Sequence, residues 1–411
     1  MPSRNSIVLA LVLFFYAAWV GFGLQAVRPP GDVALTAPLE SADGGILYYG
    51  GGRVVAWHYA GGGYLVYSPG SWSLEVRGKP LAACSTGGSA AVALAAPDGG
   101  ALFLDGGVAR FYRASWIAPR ALASCGGGTL AVGFSGEARS TLIVYRGGLA
   151  WEYSLDRLYG LAVDGNGTVY AAVGDGLLVL RPGGGAEMLH YDGFRVVGVY
   201  DGGRLVALDG GGRIVVAPRL GGPGLSVDDG NGSTRVEAAT LDHGTVQAYV
   251  RPPAGWGRVA CTTPGGRAYS LEAAATLPFA FTAAGGGNGT LWFSGILFAP
   301  NGKEMLLAVV DGCEPAMVPW PETIYYVKKA EPDPLRPATS TAPKPTVATL
   351  EATGKPLQAS WTAKPGTPPS LEFREYHAYI DRAMIAFTLA AVAAAPAAAA
   401  YRAIARYDPS S

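Results

Sequence analysis

Short apolar runs separated by glycine-rich turns recur along the chain from residue 41 to residue 298. Typical runs read TVYAAV, RLVALD and RIVVAP. They are rich in β-branched and aromatic residues, and no helical periodicity interrupts the series. The dipeptides between them, Asp-Gly, Asn-Gly and Gly-Gly, permit positive φ at both central positions of a two-residue hairpin. The pattern therefore predicts a region made almost entirely of short antiparallel strands.

The hairpin phrase occurs seven times. The residues taken to open each turn are Asp43, Cys84, Cys125, Asp164, Asp201, Asp242 and Gly286, at intervals of 41, 41, 39, 37, 41 and 44 residues. A period of about 40 residues suits a four-stranded blade. We predict an all-β chain whose residues 35–330 form a β-propeller, with seven blades favoured. Six blades with a separate small β domain, eight blades, or a pair of sandwiches remain alternatives, because residues 251–278 are irregular and proline-rich.

Two of the seven copies carry a more specific motif. Asp164, Gly167 and Tyr170 match the pattern D-x-x-G-x-φ-W/Y in one copy, and Gly289 and Trp292 match part of it in another. On these residues the chain resembles the NHL-type and two-component-regulator-type propellers. The resemblance implies a propeller with an apical or central binding surface, and it brings no set of catalytic residues with it.

Composition and charge narrow the functional classes. The chain has 411 residues, of which 60 are Gly, 49% are hydrophobic and only 15% are charged. Lys and Arg number 31, equal to Asp and Glu, so the formal net charge is zero. A large folded domain is expected, and nucleic-acid partners are not, because no basic excess is available for a phosphate backbone.

Both ends of the chain contain a hydrophobic segment. Residues 7–24 form an uncharged apolar run behind Arg4, so residues 1–28 are expected to be a signal peptide or a signal-anchor helix. Residues 371–406 are expected to form a juxtamembrane and transmembrane helix around the alanine-rich run 383–400, for which a soluble packed helix is the alternative. With Arg4 inside, the propeller lies outside the cell and residues 407–411 form a cytoplasmic tail.

A proline-rich segment separates the propeller from the second hydrophobic run. Residues 331–370 contain nine Pro and seven Thr. This composition predicts an extended, polyproline-like stalk with a reach of at most roughly 120 Å, at about 3.1 Å per residue.

The four cysteines suggest disulfides. Cys84 and Cys125 occupy the same position in consecutive copies, so we predict a bond between neighbouring blades, which leaves Cys261 and Cys313 as a second pair. Four buried thiols are the alternative. No CxxC or Cys/His cluster occurs, and neither a metal nor another cofactor is predicted.

The remaining polar motifs are weak. Sequons begin at Asn166, Asn231 and Asn288, which are glycosylation candidates, although Asn-Gly is also a preferred hairpin dipeptide. No catalytic residue is predicted. The histidines, His58, His190, His243 and His377, are scattered over the chain without a nucleophile motif. The turn aspartates, one in each of several copies, are what turn geometry requires.

Three functional hypotheses follow. The first is a membrane-anchored extracellular propeller that acts as a noncatalytic binding or scaffold module, with a protein or glycan of the cell envelope as partner. The second is an extracellular propeller enzyme, a lyase or hydrolase working at the mouth of the ring. The third is an accessory subunit of a membrane protein complex, held through the small residues of the C-terminal helix.

Overall fold

The chain folds into a ring of antiparallel sheets. The computed structural model describes residues 34–38, 43–222, 224–227, 234–251, 257–262, 268–275, 279–299, 302–311, 325–329, 344–350, 353–371, 374–375, 398 and 402. Within these ranges the strands form seven sheets of four or five strands each. The prediction of an all-β, seven-bladed propeller is confirmed.

Each blade is built from strands that are consecutive in the chain, except the last. Strand β1, Ala34–Pro38, belongs to blade seven. Blade one contains β2 Gly44–Gly50, β3 Arg53–Ala60, β4 Gly63–Ser68 and β5 Trp72–Val76. Blade two contains β6 Pro80–Thr86, β7 Ser89–Leu94, β8 Gly100–Asp105 and β9 Val108–Arg113. Blade three contains β10 Arg120–Gly126, β11 Thr129–Ser135, β12 Ser140–Arg146 and β13 Leu149–Leu155.

The second half of the ring follows the same plan. Blade four contains β14 Leu158–Val163, β15 Val169–Val173, β16 Gly176–Leu180 and β17 Ala186–His190. Blade five contains β18 Arg195–Tyr200, a 3₁₀ turn at Asp201–Gly203, β19 Leu205–Asp209, β20 Ile214–Pro218 and β21 Leu225–Ser226. Blade six contains β22 Arg235–Asp242, β23 Thr245–Arg251, β24 Arg258–Thr262 and β25 Ala268–Ala275. Blade seven begins with β26 Phe279–Gly287, β27 Thr290–Ala299 and β28 Gly302–Asp311.

The ring is closed by strand pairing between the two ends of the propeller. Strand β1 lies antiparallel beside β28, in register from Ala34 opposite Ala308 to Pro38 opposite Glu304. The innermost strand of every blade contacts that of the next blade, and β26 of blade seven contacts β2 of blade one. The N-terminal strand therefore completes the blade formed by the last three propeller strands.

The hydrophobic core is divided among the spaces between blades. Seven clusters of buried side chains each combine residues from two neighbouring blades. Between blades six and seven, for example, the rings of Tyr249 and Phe293 are stacked with centroids 4.5 Å apart. Because both surfaces of a blade face a neighbour, strands such as β15 are buried at every position and lack the alternation of a half-exposed sheet.

The turns confirm the repeat except in its first copy. Asp43 precedes β2, and the turn after β2 is Gly51-Gly52, with φ of 56° and 74°. The glycines after Asp43 open the strand instead. A Cβ on Gly45 would lie 3.0 Å from Thr282 Cγ2 of blade seven, so glycine there permits close packing of the two blades.

The segment predicted to be a stalk follows the outside of the ring. A strand outside that range, β29 Tyr325–Lys329, pairs with β25 of blade six. Three strands then pair with β17 of blade four, β13 of blade three and β9 of blade two; they are β30 Thr346–Leu350, β31 Lys355–Leu357 and β32 Trp361–Ala363. Strand β33, Arg374–Glu375, pairs with β1 of blade seven. We call residues 344–375 the belt.

Side chains and backbone bonds attach the belt to the blades. The indole of Trp361 stacks on Phe111 with centroids 5.3 Å apart and an interplanar angle of 15°. At blade one, the Gly366 N–H donates to Ser73 O over 2.8 Å, and the Ser73 N–H donates to Gly366 O over 3.1 Å. The segment is extended, as its prolines suggested, but the described part is not a free stalk. Its N–H and C=O groups pair with blade edges that would otherwise be open.

The disulfide between neighbouring blades is confirmed. Cys84 and Cys125 are bonded, with their Cα atoms 5.7 Å apart, a separation that a disulfide accommodates without backbone movement. Cys261 is also disulfide-bonded. Its predicted partner, Cys313, lies outside the described residues.

The predicted membrane helices lie almost wholly outside the described residues. These residues include no helix of sufficient length and apolar character to cross a bilayer. Of residues 7–24 and 383–400, only Ala398 is described.

We expect the replacement Trp361→Ala to lower the free energy of unfolding by about 1–2 kcal/mol, because a half-buried stacked indole is lost from the belt. The adjacent Thr362→Ala, at an exposed position, is the matched control and should change it little. Chemical denaturation of both variants measures the difference. Equal stability of the two variants would show that the belt contributes nothing through this contact.

Loss of the Cys84–Cys125 bond should lower the free energy of unfolding more than loss of the Trp361 side chain does. The double variant Cys84→Ala with Cys125→Ala opens a loop of 41 residues, which should destabilise the protein by about 2–4 kcal/mol in the chain-entropy description. Thermal unfolding under non-reducing conditions is the measurement. An unchanged midpoint would contradict the expectation.

Candidate functional site

The ring has two faces that differ in their side chains. We call the face where the innermost strands begin the mouth face, and the face that carries the turns after these strands the turn face. Because strands within a blade alternate in direction, the turns between the first and second strands and between the third and fourth strands all lie on the turn face. The connections between blades lie on the mouth face.

Basic residues surround the central opening on the mouth face. In blades two to six a Lys or Arg is the first residue of the innermost strand or directly precedes it: Lys79, Arg120, Arg157, Arg195 and Arg235. All five are exposed. Blade one begins instead with Asp43, so that the cations form an arc over five consecutive blades. We call these five residues the basic arc.

An aromatic side chain lies within the basic arc. Tyr159, in the innermost strand of blade four, is half-buried, and the Arg157 guanidinium lies 5.0 Å from its ring centroid. Arg195 of blade five lies 5.8 Å from the same ring. Arg195 also donates to Asp209 over 2.7 Å, so its charge is compensated. A ring flanked by two guanidinium groups can contact a flat or apolar part of a ligand while the cations contact an anionic part.

Other charges at the mouth-face end of blade six are compensated. Arg251 donates to Glu237 Oε1 from Nε over 3.2 Å and from Nη2 over 2.8 Å, and its guanidinium lies 4.6 Å from the Phe281 ring centroid. The Tyr200 hydroxyl donates to Val236 O over 2.7 Å. Burial raises the pKa of Tyr200 well above its ordinary value and Glu237 adds to the effect, whereas Arg120, two blades away, acts in the opposite direction. Because Glu237 compensates the charge of Arg251, Arg251 is not counted in the basic arc.

On the turn face, one carboxylate joins three blades. The side chain of Asp201 is only 6% exposed, and it lies in the turn of blade five with φ of 49°. It accepts hydrogen bonds from the Leu241 N–H of blade six over 3.0 Å and the Asn288 N–H of blade seven over 3.4 Å. Arg204 Nη1 lies 3.3 Å from the same carboxylate. Asp201 thus has a structural role, because it links the turns of blades five, six and seven.

The side chains of Asp164 and Asp242 make these contacts only within their own turns. Asp164 accepts hydrogen bonds from the N–H groups of Asn166 and Thr168 and from the Tyr170 hydroxyl, at 2.8–3.0 Å. Asp242 lies 2.8 Å from the exposed His243, and its hydrogen bond raises the pKa of that imidazole. Asp164, Asp201 and Asp242 therefore make separate sets of contacts, as turn chemistry predicts.

Two cavities open on the turn face. One of about 460 Å³ lies among blades seven, one and two, and Arg53 is the single charged residue in its lining, beside Tyr49, Trp72 and Leu371. The other, of about 390 Å³, lies between blade four and the belt and includes the ion pair of Arg181 and Glu187. Among the described residues no group of three or more His, Cys, Asp or Glu could hold a metal ion.

The histidines and sequons are separated in space as they are in sequence. His58 contacts the Tyr67 ring edge-on in blade one, and His190 Nδ1 lies 3.8 Å from Asp175 in blade four. Asn166 and Asn288 are exposed in turns, so both remain glycosylation candidates. Asn231 and His377 lie outside the described residues.

The basic arc is the part of the candidate site that sequence reasoning missed. Its members follow one another at intervals of 41, 37, 38 and 40 residues, which is the period of the repeat itself. The signal is visible once the copies are aligned on their turns. A net charge of zero over the whole chain concealed this local grouping.

Comparisons with known proteins add little to this geometry. No family model matches the chain, and no curated protein matches it either. Similar solved structures include apo AztD from Citrobacter koseri, at 15% identity, a TM-score of 0.34, and coverage of 55% of this chain and 71% of that one.

Two further structures are similar at the same level. The extracellular domain of the putative hybrid two component system BT4673 from B. thetaiotaomicron is 12% identical, with a TM-score of 0.35 and coverage of 67% of this chain and 39% of that one. The AfRom2 CNH domain is 10% identical, with a TM-score of 0.28 and coverage of 70% and 97%. The likeness carries no argument about ligand or activity, and the assignment of the fold rests on the seven sheets.

We expect Asp201→Ala to lower the free energy of unfolding by about 2 kcal/mol, because two backbone N–H groups lose their acceptor. Asp201→Asn should cost less, since Oδ1 remains to accept. The control is Asp242→Ala, at a turn aspartate whose side chain is 51% exposed and whose loss should matter little. Denaturant titration measures all three. A larger loss in the Asp242 variant would contradict the assigned role of Asp201.

Proposed function

We propose that this protein is a noncatalytic binding module, held on the outer surface of a cell membrane by its hydrophobic ends, whose mouth face binds an anionic group of a protein or glycan. The basic arc is the observation that carries the proposal. Five exposed cations from five blades point to a ligand that is larger than a single side chain and bears negative charge. Neither a propeller enzyme nor a complex subunit has a comparable observation in its favour among the described residues.

The surroundings of the arc support recognition of an acidic chain. Arg195 is paired with Asp209, whereas no carboxylate lies within ion-pair distance of Lys79, Arg120 or Arg157 among the described contacts. Tyr159 offers a ring between two guanidinium groups. Guanidinium groups bind carboxylates, sulfates and phosphates with two parallel hydrogen bonds, and an aromatic ring packs against the apolar face of a sugar or side chain.

Location outside the membrane is supported by two features. The disulfide between Cys84 and Cys125 is of the kind that persists in oxidising compartments. The apolar run 7–24 follows Arg4, which favours a cytoplasmic N-terminus and export of the residues that follow. A chain returned to the membrane at residues 383–400 would hold the propeller at both ends.

The proposal predicts salt-sensitive binding of an acidic polymer through the mouth face. Full-length protein in lipid nanodiscs should bind polygalacturonate or polyglutamate but not neutral dextran, and binding should weaken as ionic strength rises. Replacing Arg120, Arg157 and Arg235 together with Gln should weaken binding about 10- to 100-fold, at roughly 0.5–1 kcal/mol for each exposed contact. Biolayer interferometry measures the affinities.

The matched control removes the same charge from the same face farther from the axis. Arg113, Arg139 and Arg213 are exposed at strand ends or connections of blades two, three and five, and their triple replacement with Gln should leave binding near the wild-type level. An equal loss in both triple variants would indicate nonspecific attraction. Failure of both acidic polymers to bind would contradict recognition at the basic arc.

A further inference from the structure

The start of strand β1 and the end of strand β33 lie next to each other in blade seven. Strand β33 is antiparallel to β1, with Leu35 opposite Glu375 and Thr36 opposite Arg374. Because the strands are antiparallel, the first residue of β1 and the last residue of β33 lie at the same end of the pair. Ala34 lies opposite Ala308 near the end of β28, which is the side of blade seven where the turn face lies.

The connections to the hydrophobic segments are short. Residues 376–382 separate β33 from the apolar run that starts at residue 383, and residues 25–33 separate the first apolar run from β1. Fully extended, these connections span at most about 25 Å and about 32 Å. The described part of the proline-rich segment lies along the blades as the belt and precedes β33, so it is not counted in these two connections.

Several turns on the turn face near blade seven have glycine at both tip positions. In blades one and two its turns are Gly51-Gly52, Gly87-Gly88 and Gly106-Gly107, all with positive φ. Because all six residues are glycines, these turns project no side chain. The space around them is open, since a Cβ at any of the six positions would meet nothing within 4 Å. The backbone of these turns can therefore come close to a broad surface on this side of the ring.

The opposite side of the turn face carries exposed leucines. Leu220, in the turn after β20 of blade five, is 81% exposed, and Leu149, the first residue of β13 in blade three, is 62% exposed. They are the two most exposed large apolar side chains of the described residues. Leu350, at the end of β30 on blade four, is 38% exposed at the same rim. Three successive blades thus present leucine on one edge of one face.

We propose that the turn face lies against the lipid surface of the membrane, with both hydrophobic segments entering the bilayer beside blade seven and with Leu149, Leu220 and Leu350 contacting the lipid on the far side of the ring. The inference rests on the proposed membrane anchoring and adds the orientation of the propeller. The leucines lie on one side of the ring and the two chain connections lie on the opposite side. Contact with the membrane therefore extends across the turn face. The basic arc then faces away from the membrane, toward the surroundings of the cell.

Site-specific fluorescence on the full-length protein tests the orientation. Leu220→Cys, Leu149→Cys and, as the mouth-face control, Tyr59→Cys are each labelled with an environment-sensitive dye, since Cys84, Cys125 and Cys261 are disulfide-bonded. Tyr59 is 44% exposed near the mouth-face end of β3. The labelled proteins are reconstituted into vesicles of equal parts phosphatidylcholine and phosphatidylglycerol, with and without lipid that carries a quencher at the level of the upper acyl chain. Unmodified protein gives the labelling background.

The expected result is loss of most of the dye fluorescence at positions 220 and 149 and no loss at position 59. Quenching at position 59 without quenching at the two leucine positions would reverse the orientation, and absence of quenching at all three would place the propeller away from the lipid; either result overturns the proposal. Flotation of the same samples on a density gradient separates the two levels of inference. Protein that floats but is not quenched keeps the anchoring and loses the orientation, whereas protein that does not float loses both.

Discussion

Closure of the ring is the constraint on which the rest of the structure depends. Each blade buries apolar surface on both sides, so a ring with a missing contact would expose one side of each of two blades to water. The contact is made by a strand from the N-terminus, β1, paired with β28 from the end of the propeller. Pairing with β33 at Leu35 and Thr36 places β1 inside its sheet and gives it a partner on its second side over two residues. The strand that closes the ring is thus held from both sides.

The belt covers strand edges that the propeller fold would otherwise leave open to solvent. A propeller blade ends in an outer strand whose N–H and C=O groups face solvent, and such edges invite pairing with other chains. Here residues 344–375 occupy the edges of blades four, three and two with strands, and then bridge to blade one and pair in blade seven. Because proline has no N–H to donate, a proline-rich segment is well suited to a position that is bonded on only one side. Composition alone therefore cannot distinguish a belt from a stalk, since both are extended.

Local chemistry made much of the fold predictable. The hairpin turns of the last six copies could be predicted because hairpins of this twist need glycine or asparagine. The bond between Cys84 and Cys125 could be predicted because equivalent positions of consecutive repeats are neighbours in a ring. Two features of the fold could not be predicted from the sequence, and the reason is the same for both. The Gly-Gly pair after Asp43 looks like a turn, but Gly45 lies in β2 and packs closely against Thr282 of blade seven. The belt pairs with residues as far away in sequence as Leu35 is from Glu375, which is 340 positions (375 − 35). Contacts between distant parts of the chain leave no local pattern. The basic arc, by contrast, is periodic and could be found by alignment of the copies.

The difference between the two faces follows from the direction of the strands. Hairpin turns within blades must be tight, and tight turns select glycine, so the tips of many turns on the turn face carry no side chain. Connections between blades are freer in length and geometry, and charged residues such as Arg120 and Arg157 are tolerated there because they stay in water. A fold that repeats one hairpin thus gives its two faces different residues, with glycine-tipped turns on one and exposed cations at the connections on the other. In the orientation that we propose, the turn face lies on the membrane, which leaves the mouth face, with Tyr159 between two guanidinium groups, for recognition.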